Sequence, residues 1–254
     1  WPGPLTIIFP RKDCVPDAAT GGLDTVALRC PDHAIATAFL KACAVPVAAP
    51  SANLSGRPSP TTAEEVYHDM NGRVDMIIDG GPCHIGVEST IVECGPDGGV
   101  TILRPGGVTE ELLHQVVGHV DVDHSLITGK GVPKAPGMKY RHYAPTAPMT
   151  VYVGTVGHVR RAMQKAYDEL TKEGKIVGFL VSREVSESFP KDRMYIFGSH
   201  NDKPSLASQL YTGLLFFDSV HVDYILAEGT DEEGLGMAIM NRMKKAAGGH
   251  VIMV

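Results

Sequence analysis

Val45-Pro-Val-Ala-Ala-Pro-Ser-Ala-Asn-Leu-Ser-Gly-Arg-Pro-Ser-Pro-Thr61 is the stretch around which the rest of the chain reads. Val45 to Ala49 is a short apolar run of strand type. Pro50 breaks it into Ser51, Asn53, Ser55, Gly56, Arg57 and Ser59. Thr62 and Glu65 then form a capping box for a helix with apolar positions Ala63, Val66, Tyr67 and Met70. Strand, polar loop and helix N-terminus thus follow in succession. Small hydroxyls, one glycine and one arginine at such a place make a cradle for an anion, because backbone N–H groups and the helix dipole favour negative charge there. Ordinary turn chemistry uses the same residue types, so the reading depends on what stands elsewhere.

Towards the N-terminus, Leu5 to Phe9 and Thr25 to Arg29 read as strands. Asp32 is placed to cap a helix with Ile35, Ala38, Phe39 and Ala42 on one face. Towards the C-terminus, Met76 to Ile78, Gly86 to Val92 and Thr101 to Arg104 read as further strands. A helix follows from Thr109, with Glu110 and Glu111 in its first turn and Leu112, Leu113, Val116 and Val117 as its apolar face. The chain opens on Trp1-Pro-Gly-Pro, a turn feeding a strand, and so reads as starting inside a domain whose N-terminal part is missing.

Residues 125–148 lack any period and carry Pro133-Lys-Ala-Pro-Gly-Met-Lys-Tyr-Arg-His-Tyr-Ala-Pro145, which reads as a linker rich in groups that can bind. As a lid, its prolines would limit the entropy lost on ordering, Lys139 and Arg141 would bring positive charge towards phosphates, and Tyr143 would offer a ring and a hydroxyl to a nucleotide. Beyond it, strands at Thr150–Val153, Ile176–Val181, Met194–Phe197, Tyr224–Ala227 and Val251–Val254 alternate with helices. The helices are read near Val159 (Val159, Ala162, Met163, Ala166, Leu170), from Ser205 (Leu206, Leu210, Leu214, Phe217) and over Leu235–Ala246. Such alternation predicts a parallel, doubly wound domain. The expected organisation is one α/β domain over residues 1–124, a linker or lid over 125–148 and a second domain over 149–254.

Composition narrows the class. The chain has 254 residues, 43% of them hydrophobic and 20% charged, which suits globular domains with sizeable cores. A formal net charge of −6 argues against a protein that coats nucleic acid non-specifically. The five cysteines form no CxxC pair, as expected of reduced thiols in a cytoplasmic protein. No apolar run reaches the length of a membrane span. Gly129-Lys130 lacks the flanking residues of a P-loop, and there is neither an HExxH nor a GxSxG motif. His33, His84 and His142 read as surface or satisfied groups rather than metal ligands. What remains is a set of hydroxyls and arginines at strand ends: Thr25, Arg29, Ser51, Ser59, Ser89 and Arg104. Guanidinium forks match phosphate and carboxylate, so the set suits several anionic groups and a reaction run by positioning rather than by a covalent nucleophile. The residues by themselves lead to a nucleotide- or phosphate-using enzyme.

Several motifs carry a resemblance. Trp1-Pro-Gly-Pro-Leu-Thr6, Ala49-Pro-Ser-Ala-Asn-Leu-Ser-Gly56, Gly86-Val-Glu-Ser-Thr90 and Leu103-Arg-Pro-Gly106 resemble the YrdC-like family, in that order. Pro136 to Pro145 is similar to the interdomain linker of its two-domain branch, and Gly236-Met-Ala-Ile-Met-Asn-Arg242 to a motif near that branch's C-terminus. The resemblance implies a YrdC-like twisted open α/β domain, incomplete at its N-terminus, then a linker and a smaller Rossmann-like parallel domain. It implies a nucleotidyltransferase that condenses L-threonine, bicarbonate or CO2, and ATP into threonylcarbamoyl-adenylate and pyrophosphate. The product would pass to the machinery that makes threonylcarbamoyladenosine in tRNA. By motif position, Arg29, Ala49 and Ser89 would face threonine. Thr25, Ser51, Ser59, Arg104 and Tyr143 would contact ATP, and Mg2+ would accompany its phosphates. No residue would serve as a covalent catalyst. The family's Lys-x-Arg motif is not found, so residues 1–254 alone are expected to bind ATP poorly. Two alternatives stand beside this reading: a YrdC-like carbamoyl transferase, and a non-catalytic module with weak RNA binding.

Overall fold

The computed structural model describes residues 1–96, 98–123 and 143–254. They fall into two compact units. One comprises the described residues of 1–50 and 88–139, the other those of 51–87 and 140–254.

The first unit is built on a mixed five-stranded sheet in the order β2-β1-β3-β4-β5. β1 (Leu5–Pro10) pairs antiparallel with β2 (Thr25–Arg29) and parallel with β3 (Thr90–Cys94). β4 (Val100–Arg104) runs antiparallel to β3 and parallel to β5 (Val120–Val122). Alternation along β3 sends Ile91 and Val92 to opposite faces. Val92 packs with Val100, Ile102, Leu113 and Val120, while Ile91 meets Leu103 and Ile8. The helices are α1 (Asp17–Thr20), α2 (Ala34–Cys43) and α4 (Glu110–His114), the last starting after Thr109, whose side chain caps it.

The second unit contains the capped helix α3 (Ala63–Met70) and an all-parallel five-stranded sheet in the order β10-β6-β9-β7-β8. Its strands are β6 (Met149–Val153), β7 (Val177–Ser182), β8 (Met194–Gly198), β9 (Tyr224–Glu228) and β10 (Val251–Met253). Helices α5 (Val156–Lys172), α6 (Arg183–Ser186), α7 (Lys203–Ser219) and α8 (Leu235–Ala246) alternate with them. Val151, Ile225 and Ala227 bury one sheet face against Leu206, Leu210, Leu214 and Met243. Phe179, Val181 and Leu226 bury the other against Val159 and Met163. The two-domain α/β class and the parallel second sheet therefore follow the sequence reading.

Four local readings are corrected. Val45–Ala49 and Met76–Ile78 are irregular rather than strands, exposed apart from the half-buried Ile77. An apolar run becomes a strand only when a neighbour supplies a ladder, and neither run has one among the described residues. The Gly86–Val92 strand begins only at Thr90. The cap of α2 is His33, whose Nδ1 accepts from the Ala36 N–H at 3.4 Å, not Asp32. The apolar face expected on α2 stays open, since α2 buries no residue, while on α3 Ala63, Val66 and Met70 are half-buried and the fully buried residue is Asp69. Residues 124–142, with most of the linker reading and its lid, lie outside the described residues.

Candidate functional site

In the first unit, β1 and β2 pair so that Thr6 lies opposite Arg29. The turn before β1 ties into β3 where the Thr90 amide donates to the Pro4 carbonyl at 2.9 Å. This fixes Ser89 one residue ahead of β3, beside Thr6. The Ser89 and Thr6 hydroxyls lie 2.7 Å apart, and both residues are buried. Arg29, at the end of β2, donates from Nη1 to Ser89 Oγ at 3.3 Å. Arg104, at the end of β4, donates from Nη2 to Ser89 Oγ at 3.1 Å and to its carbonyl at 2.9 Å, with Nε adding a 3.2 Å bond to that carbonyl. Two guanidiniums from different strands thus converge on one serine hydroxyl.

The backbone behind Ser89 is held closely. Gly106, two residues past β4, packs so tightly on residues 88–90 that a β-carbon there would come 2.3 Å from the Glu88 carbonyl oxygen. The Thr90 hydroxyl exchanges hydrogen bonds with the carbonyl and amide of Val108 at 2.5 and 2.9 Å. Arg29 itself is exposed at the rim and has no carboxylate partner among the described residues. An exposed guanidinium over a floor of buried hydroxyls presents donors of the kind that match a small carboxylate. Thr25 stands at the other end of β2, about 13 Å along the strand from Arg29. Ala49 lies in the exposed irregular run before Pro50.

In the second unit, the 51–59 loop is pinned from within. Asn53 Nδ2 donates to the carbonyls of Leu54 and Arg57 at 2.9 and 3.2 Å, and Gly56 takes the positive φ of 90° that the turn requires. The Leu54 amide donates to Asp69 Oδ2 at 3.1 Å. Arg57, expected from the sequence to serve a bound anion, faces protein carboxylates instead: Asp69 at 3.4 Å and Asp218 at 3.1 Å. Burial alone would push the Asp69 carboxyl up. Hydrogen bonds from His68 and the Leu54 amide, with the Arg57 charge, outweigh it and hold the group below its ordinary value. Ser51 is exposed, and Ser59 is half-buried. Tyr143 is 6% exposed, its ring centroid 5.2 Å from that of Tyr211.

Comparison with known proteins fits this arrangement. Residues 1–106 match the family described as Telomere recombination, which groups Sua5, YciO and YrdC proteins. Residues 108–248 match the family described as Threonylcarbamoyl-AMP synthase, C-terminal domain. The threonylcarbamoyl-AMP synthase of Bacillus subtilis is 46% identical over 253 residues, covering 99% of this chain and 72% of that protein. That of Pyrococcus abyssi is 44% identical over 256 residues, covering 100% of this chain and 73% of that protein. The chain belongs to the threonylcarbamoyl-AMP synthase family. A crystal structure of P. abyssi Sua5 complexed with L-threonine superposes with a TM-score of 0.92 at 43% identity, covering 100% of this chain and 73% of that one.

For this member of the threonylcarbamoyl-AMP synthase family, the sequence reading misses two features. Thr6 enters it only as part of a motif, yet Thr6 completes the floor under Arg29; its β1 position, opposite Arg29, is the available signal. A second polar network lies at the carboxyl edge of the parallel sheet. There Glu184 accepts from the Ser199 hydroxyl and the His200 amide, and buried Glu228 accepts from His200 Nδ1 at 2.7 Å and the Ser182 amide at 2.6 Å. Burial opposes ionisation of Glu184, but the bonds from Ser199 and the backbone prevail and bring it from 4.5 to about 2. Among the described residues no group of three or more His, Cys, Asp or Glu could hold a metal ion. The described residues therefore do not form a Mg2+ cage of their own.

Proposed function

We propose that this protein makes threonylcarbamoyl-AMP from L-threonine, bicarbonate or CO2, and ATP. The observation that carries the reading is the convergence of Arg29, Arg104 and Thr6 on Ser89, within a chain of this family. In the proposed reaction the threonine amine adds to CO2 and loses a proton, giving a carbamate. A carbamate oxygen then attacks the α-phosphorus of ATP, the bond to the β-phosphate oxygen breaks, and pyrophosphate leaves.

Arg29 holds the threonine carboxylate as a fork, with Ser89, Thr6 and the backbone at Ala49 lining the pocket. Arg104 keeps Ser89 in place through its carbonyl and, with Thr25, Ser51, Ser59 and Tyr143, contacts ATP. Positioning and charge complementarity lower the barrier without a covalent intermediate. Mg2+ would enter with the ATP phosphates it already binds, and no step is assigned to it. The threonylcarbamoyl-adenylate then serves tRNA threonylcarbamoyladenosine formation in the cytoplasm.

Calorimetry of the full-length gene product tests the pocket. L-Threonine is expected to bind, while L-threoninamide, which lacks the carboxylate, is expected to bind roughly tenfold more weakly or worse. Equal affinities would exclude Arg29 as the carboxylate-binding group.

A further inference from the structure

Asp218, at the end of α7, sits far in sequence from the motifs of the first 150 residues, yet its two carboxylate oxygens hold two separate segments. Oδ2 accepts from Arg57 Nη2 at 3.1 Å, within the loop that carries Ser51 and Ser59. Oδ1 accepts from the Thr146 amide at 3.2 Å and its hydroxyl at 3.0 Å, three residues past Tyr143. The same helix grips the stretch that follows the loop. Thr212 Oγ1 donates to Glu65 Oε1 at 2.8 Å and lies 2.9 Å from Thr61 Oγ1. Gly86 packs on α7 so closely that a β-carbon would lie 2.3 Å from the Ala207 carbonyl oxygen. The buried set on α7 extends beyond the predicted apolar face: Ala207 meets Gly86, Tyr211 packs on Tyr143, and Gly213 lies against Leu180 and Tyr195 of the sheet.

We propose that Asp218 is a positioning residue for ATP: through Arg57 and Thr146 it sets the relative placement of the Ser51–Ser59 loop and of Tyr143. The proposal rests on the nucleotide role of Ser51, Ser59 and Tyr143 under the proposed function. It also gives the C-terminal domain a function, since α7 then serves as the template for the nucleotide-binding segments. The Asp218 and Arg57 side chains are 20% and 29% exposed, but Asp218 as a residue lies at the surface, so added salt is expected to weaken their attraction.

The test uses the full-length gene product and four variants: D218N, R57Q, R57K and the double variant R57Q/D218N. D218N keeps an acceptor for Thr146 but removes the charge that holds Arg57. It is expected to weaken ATP binding about five- to thirtyfold, with threonine affinity changed less than about twofold. R57Q should match it, R57K should recover most of the loss, and the double variant should be no worse than either single one. Hydrogen exchange of residues 51–59 should quicken in D218N while β6 and β9 stay protected. ATP affinity unchanged in D218N, or additive losses in the double variant, would overturn the coupling. A wild type that binds no ATP would overturn the nucleotide reading itself, with the exchange result still showing whether Asp218 orders the loop.

Discussion

Ser89 joins more of the candidate site than any other residue, because a single small hydroxyl can meet Thr6, Arg29 and Arg104 at once. Arg29 is the member with a fork facing outward. Arg29→Ala is expected to lower kcat/KM for threonine ten- to a hundredfold, about 1.5–3 kcal/mol for a charge-assisted bidentate contact, while the KM for ATP changes little. Equal losses for both substrates would count against this role. Single residues are legible in the sequence where a strand end presents a charged or hydroxyl group, as with Arg29, Ser89 and Arg104. The reading misleads for Arg57, whose partner Asp218 stands 161 positions away and leaves no local trace. Glu184 gives a pH prediction. Its folded-state value lies below the unfolded one, so its contribution is present above about 4.5 and fades as pH falls towards about 2. Glu184→Gln should therefore lower the urea midpoint at pH 7 and hardly change it near pH 2; the same deficit at both pH values would reject this electrostatic origin.

The elements most readable from the chain are those whose signals are local. The capping box of α3 is present as read, with Thr62 Oγ1 accepting from the Glu65 amide at 3.3 Å and the Glu65 carboxylate reaching back to the Thr62 amide at 3.2 Å. The strands of the parallel sheet are also legible, since a strand buried on both faces is a near-continuous apolar run. Val45–Ala49 and Met76–Ile78 have the same apolar character without a ladder partner among the described residues, and composition alone cannot tell the two cases apart. Gly106 offers a test of how β3 and β4 support the site. A methyl group there would push the 88–90 backbone away, and overpacking of this kind costs about 1–3 kcal/mol. Gly106→Ala should thus lower the melting temperature and weaken threonine binding together, measured by thermal unfolding and calorimetry. A variant with unchanged threonine affinity would show that the backbone behind Ser89 tolerates displacement.

For the whole molecule, the division into two units follows the contacts rather than the order of the chain, because residues 51–87 fall in the unit that contains the parallel sheet. That grouping is illegible in the sequence. It depends on Arg57, Thr61, Glu65 and Gly86 meeting a helix more than a hundred residues later, and hydrophobic periodicity reports only that each segment has a buried side. The family, by contrast, is legible through resemblance, because short stretches such as Gly86–Thr90 and Leu103–Gly106 are similar to its motifs and follow in the same order. Pyrophosphate release tests the proposed reaction most directly. The full-length gene product would be incubated with ATP, L-threonine and bicarbonate, and pyrophosphate and threonylcarbamoyl-AMP followed together. The expected result is release that needs both threonine and bicarbonate, with one threonylcarbamoyl-AMP formed for each pyrophosphate early in the time course. Pyrophosphate release that ignores threonine, or no adenylate under these conditions, would contradict the assignment.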